Sequence, residues 1–236
     1  VTAQAAVPPG GRWLLALDTA TTTIVVAVGD LEGRILASEA FEGRYRHSQE
    51  LLPAVVRVLD RANLRLAELA GVVVGTGPGA FTGLRVGIAT AKTLAHELDR
   101  PVVGIPTSTA LLAAVRGATG LWLPSGSRDR VLVLPGQEPV VVPGAEPARG
   151  ASAPAADAGG RAAAVDLDGR AQDAELTLGR EAVAGLGAAL LALGAARLAA
   201  DDVDDPERLV PRYASPPRGA IGGDSEGGVA WSRDPR

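Results

Sequence analysis

Asp18-Thr19-Ala20-Thr21 is the first group of side chains in this chain able to do chemistry. A loop of this kind, between two apolar runs, is where an actin-like ATPase turns its first two strands around a phosphate. There the Asp holds Mg2+ through water, a Gly lets backbone N–H groups approach the phosphate, and a hydroxyl donates to it. Here the position two after Asp18 is Ala20, whose Cβ crowds that approach. Asp18 and Thr19 are therefore expected to hydrogen-bond their own turn, and are kept only as vestigial phosphate-loop candidates. No cofactor is expected.

The second candidate is the glycine-rich stretch from Gly75 through Gly77, Pro78, Gly79 and Gly83 to Gly87. It lacks the Gly-Lys-Ser/Thr ending of a phosphate loop, and Pro78 removes one N–H donor from any anion nest. Gly83, Gly87, Ala91 and Ala95 recur every fourth residue and share one helical face. Such a stripe lets a neighbour approach closely. Packing within the domain and packing against a partner helix are both open at this level.

His47 and His96, the only two histidines, have no obvious acidic partner and read as solvated or capping residues. Asp166-Leu167-Asp168-Gly169 lacks the later carboxylate of a calcium loop, since Thr177 stands at the twelfth position, and reads as a turn. Asp201, Asp202, Asp204 and Asp205 read as a solvated face. No metal site is expected.

The elements that must position these residues follow from periodicity. Apolar runs at 13–17, 24–28 and 34–39 predict three strands in an antiparallel meander. A helix is expected over 48–63, capped by Ser48 and kinked by Pro53. Then come a strand at 72–75, a helix at 82–98, a strand at 101–105 and a helix at 109–116. That order predicts an α/β ribonuclease-H-like half-domain with a mixed sheet. Beyond Gly117, short strands are expected at 121–123, 131–134 and 140–142, and a helix over 180–200. The interior glycines of that helix, Gly185, Gly187 and Gly194, require stabilisation by packing. The expected organisation is a first lobe at 12–117, a smaller and possibly degenerate second lobe at 118–210 with a Pro/Ala/Gly-rich loop at 143–161, and a disordered tail at 211–236.

Composition limits the function classes. Hydrophobic residues make up 47% of the 236 and aromatics 3%, so the core must be built from Ala, Val and Leu. A net charge of -4 argues against a free-standing polyanion binder. The absence of cysteine excludes disulfides and thiolate metal sites. Val1 to Pro9 lacks the basic start of an export signal, and no apolar run is read as approaching the roughly 20 residues of a membrane span. A soluble, cytoplasmic protein without membrane contact is the expectation.

Three stretches, Leu15 to Thr21, His47 to Pro53 and Gly75 to Gly87, resemble the bacterial TsaB (YeaZ) family, with similarity extending from about Arg12 to Val115. The resemblance implies an ASKHA (actin-like) fold. It also implies a part in forming N6-threonylcarbamoyladenosine in tRNAs that read codons beginning with A. TsaB-like proteins pair with the catalytic subunit TsaD and are joined by the small ATPase TsaE, so that tRNA is met only through the complex. In TsaD-like sequences a His-x-x-x-His metal motif follows the strand matching Val102–Ile105; here Pro106-Thr107-Ser108-Thr109-Ala110-Leu111 stands there. The resemblance places the partner contact on the helices at 48–63 and 82–98. The interface candidates are therefore Leu52, Val55, Val56, Gly83, Gly87, Ala91 and Ala95, with a homodimer of the free chain as a second use of that face. Two departures weaken the likeness of the second lobe. The family's Asp-Ala-Arg segment is reduced to Ser127-Arg128-Asp129-Arg130-Val131, and Pro211-Arg212-Tyr213 is followed by Ser215 where Arg is usual. The rival reading is a small active ASKHA phosphotransferase using Asp18 and the glycine segment.

Overall fold

The computed structural model describes residues 12–43, 46–125, 129–142, 161–164 and 173–213. The expected Asp166–Gly169 turn, most of the 143–161 loop and the tail from 214 lie outside them. Strands β1 (Trp13–Asp18), β2 (Thr23–Asp30) and β3 (Ile35–Glu42) form the antiparallel meander, followed by α1 (His47–Ala62). Then come β4 (Leu69–Gly75), α2 (Phe81–Leu98), β5 (Val102–Ile105) and α3 (Thr107–Ala114). The first sheet has the order β3-β2-β1-β4-β5, with β4 parallel to both β1 and β5.

A second sheet is built from β6 (Ala118–Ser125), β7 (Asp129–Val133), β8 (Val140–Val142) and β9 (Arg161–Ala164), in the order β8-β7-β6-β9. β6 is antiparallel to β7 and parallel to β9. This repeats the first four strands of the first sheet, β3-β2-β1-β4. The second part of the chain thus carries a shortened copy of the same topology, the duplication that defines an ASKHA α/β fold.

α4 (Asp173–Ala199) lies between the sheets and begins seven residues before the expected start at 180. β1 shows why it can sit there. Its residues alternate between two cores: Leu15 and Leu17 pack with α1 and α2, whereas Leu14 and Ala16 pack with α3, α4 and the second sheet. A strand covered on both faces reads as a continuous apolar run. The glycines of α4 mark its close approaches. A Cβ on Gly185 would meet Ala114, one on Gly187 would meet Ala27, and one on Gly194 would meet the Val73 side chain. Thr177–Ala199 is long and apolar enough to cross a bilayer, contrary to the reading of the sequence, but its apolar side is covered by both sheets.

Two local expectations are corrected. α1 starts at His47, preceded by Arg46 with no side-chain cap, so Ser48 is a helical residue and not the cap. α3 starts at Thr107 rather than 109 because Pro106, with its fixed φ, supplies the turn into the helix.

Candidate functional site

Asp18 ends β1 fully buried. Its carboxylate accepts from the Thr107 hydroxyl at 2.6 Å and from the Ala20 amide at 2.9 Å. Thr107 in turn accepts from the Gly77 amide at 3.0 Å. Burial pushes the Asp18 carboxyl up from 3.8 to about 6, and the bonds from Thr107 and Ala20 restrain that rise. A Cβ on Gly75 would fall on the Asp18 carboxylate, so the end of β4 closes over it as well.

The β1–β2 loop and the glycine segment are packed onto each other. The Ala20 carbonyl accepts from the Ala80 amide at 2.7 Å, and a Cβ on Gly79 would fall on that carbonyl. Thr19 donates its hydroxyl to the Gly83 carbonyl at 2.8 Å. Cβ atoms added at Gly83 and Gly87 would meet the Thr19 carbonyl and hydroxyl respectively. The expected local bonding of this turn therefore holds for Asp18 with Ala20, while Thr19 reaches across to α2. The amides and carbonyls that would face a phosphate face other protein groups, and Asp18 has no exposed edge. A hydrated Mg2+ or a phosphate does not fit against Asp18 in this arrangement.

The segment is also held from its other side. Thr76 donates to Ile105 and accepts from the Arg212 amide, both at 2.8 Å. Tyr213 stacks on Phe81 with ring centroids 5.0 Å apart, and Arg85 lies 3.8 Å over the Phe81 ring while donating to the Tyr213 hydroxyl at 3.1 Å. Residues 211–213, expected as the start of a disordered tail, thus form a strap across the start of α2.

Of the seven interface candidates, Val55, Gly83, Gly87, Ala91 and Ala95 lie inside the chain. The close approach permitted by the small-residue stripe is made to Thr19 and to the core shared with α1, not at the surface. Leu52 and Val56 differ: one turn apart on α1, they are 51% and 53% exposed. Glu39 on β3 pairs with both Arg57 and Arg61, fixing the roll of α1 that turns these two side chains outward.

His47 is neither solvated nor a cap. It is buried at the start of α1, with Nε2 3.4 Å from the Thr21 carbonyl. No group of three or more His, Asp or Glu side chains suited to a metal occurs among the described residues. Thr107 is a partner of Asp18 that the sequence does not announce, because 89 residues separate them and no local spacing links the two.

The family model described as tRNA N6-adenosine threonylcarbamoyltransferase, TsaD, matches residues 38–202, more than two-thirds of the chain. The tRNA threonylcarbamoyladenosine biosynthesis protein TsaB of Bacillus subtilis is 34% identical over 111 residues, 47% of this chain and 48% of that protein. Its namesake in Escherichia coli is 34% identical over 119 residues, 50% of this chain and 48% of that protein. The chain spans about half the length of these curated relatives. The solved structure of YeaZ from Pseudomonas aeruginosa superposes with a TM-score of 0.62 at 27% identity, over 86% of this chain and 99% of that one. The chain belongs to the tRNA N6-adenosine threonylcarbamoyltransferase family and, within it, to the TsaB (YeaZ) group.

Proposed function

We propose that this chain is a non-catalytic subunit in the formation of N6-threonylcarbamoyladenosine on tRNA, pairing with a TsaD-like catalytic protein. The observation that carries the reading is Asp18. The one acidic residue placed for phosphate chemistry is buried, bonded to Thr107 and Ala20, and roofed by Gly75. A residue in that setting organises a loop instead of holding a metal. The printed names of the relatives supply the pathway, and the exposed pair Leu52 and Val56 supplies an apolar face for the partner.

A TsaE-like ATPase joins the pair in this proposal, tRNA is bound through the assembly, the site of action is the cytoplasm, and the free chain uses the same α1 face to self-associate. The test is co-purification with the TsaD-like protein of the same organism, comparing the native chain with Leu52→Glu/Val56→Glu. Complex formation by the native chain and its loss in the folded double variant are expected. The reading fails if the native chain does not bind and the catalytic protein is fully active without it. It also fails if the chain alone shows Mg-dependent ATP turnover abolished by Asp18→Asn.

A further inference from the structure

A cleft of about 760 Å3 opens between the first turn of α3 and the loop joining β7 to β8. It is separate from the sealed surroundings of Asp18 and from the α1 face. Ser108, Thr109 and Leu112 form one wall, Leu134 to Pro139 form the other, and Arg212 and Tyr213 stand at one end.

Two features point to a ligand. Ser108 is only 4% exposed and lines this cleft, yet its hydroxyl has no hydrogen-bond partner among the described residues. A buried hydroxyl is ordinarily paired, so the cleft is where its partner must come from. It also stands in the first turn of α3, which has no side-chain cap, and uncapped first-turn amides favour a negative group. The exposed Arg212 guanidinium at the end of the cleft has no carboxylate partner among the described residues and adds positive charge there.

The opposite wall decides between anions. Glu138 disfavours a doubly charged phosphate and, with Gln137, offers acceptors for an N–H group, while Leu112, Val133 and Leu134 supply apolar surface. We propose that this cleft binds a small amino-acid-like monocarboxylate. Its carboxylate is held by the Ser108 hydroxyl, the first turn of α3 and Arg212, its N–H group faces Glu138, and its side chain lies along Leu112 and Leu134. The proposal stands independently of pairing with a catalytic subunit, since none of these residues is on the α1 face.

The test is an amide NMR titration of the full chain with L-leucine and, separately, inorganic phosphate. The result expected is a saturable shift of the Ser108, Thr109 and Glu138 amides by L-leucine below about 20 mM, the range of weak small-ligand affinity. Phosphate should bind more weakly at the same amides. Ser108→Ala and Arg212→Gln should each weaken L-leucine binding about five- to tenfold, the loss of one hydrogen bond. Arg212→Gln alters an exposed side chain and keeps the test valid if Ser108→Ala fails to fold. Absence of saturable shifts with L-leucine, binding of phosphate in its place, or equal affinity in Arg212→Gln would overturn the proposal.

Discussion

Replacing Asp18 by Asn removes a buried charge without changing the shape of the side chain, and its effect must depend on pH. The native carboxyl titrates at about 6, against 3.8 in the unfolded chain. The folded state therefore binds the proton more tightly, and the stability contributed by this group is fully present below 3.8 and lost as pH rises through 6. A roughly hundredfold difference in proton affinity, at about 1.4 kcal/mol per tenfold, makes that loss about 3 kcal/mol. The substituted amide does not titrate. Urea denaturation of both proteins between pH 3.5 and 8, a range that brackets these two values, isolates the contribution as the difference between the curves. Asp18→Asn should gain about 3 kcal/mol relative to the native chain on going from the acid to the alkaline end, with most of the change between pH 4 and 6. A difference that stays flat, or that runs the other way, would refute the burial of Asp18 as an enclosed carboxylate.

Thr107→Val removes the hydroxyl that donates to Asp18 and accepts from Gly77, leaving both without it; the expected loss is about 2–4 kcal/mol above pH 7, smaller at pH 4 where Asp18 is protonated, read by the same denaturation series. Gly87→Ala should cost about 1–3 kcal/mol by driving a methyl onto the Thr19 hydroxyl, lowering the thermal midpoint whether or not a partner is present. Leu52→Glu and Val56→Glu alter exposed helical positions and should change stability by less than about 0.5 kcal/mol while abolishing the pairing, as measured by calorimetric titration with the catalytic protein.

The meander and the first three helices are legible because their signals are local. In β1 every residue from Leu14 to Leu17 is apolar, which reports a strand covered on both faces, and the glycine stretch gives the start of α2 to within one residue. The features that are not legible depend on what lies opposite. The stripe from Gly83 to Ala95 announces a close neighbour, but Thr19, which fills that space, is 64 residues from Gly83. β9 escapes a reading of the sequence because Arg161–Ala164 has little strand propensity of its own and is set by parallel pairing with β6. The early turns of α4 escape it because Thr177 and Gly179 disfavour helix locally, and packing between the two sheets overrides that preference. Asp18 reads as a loop organiser from Ala20 alone, yet Gly75 and Thr107, which complete its enclosure, meet it only in the folded chain.

The central claim is that this chain supports a catalytic partner through the outward face of α1 without itself turning over ATP. Reconstituted threonylcarbamoylation of tRNA by the TsaD-like protein of the same organism, with its TsaE-like ATPase, tests it directly. Activity should depend on adding this chain, survive Asp18→Asn in it, and be lost with Leu52→Glu/Val56→Glu. Undiminished activity without the chain, or loss of activity with Asp18→Asn in a folded protein, would contradict the account.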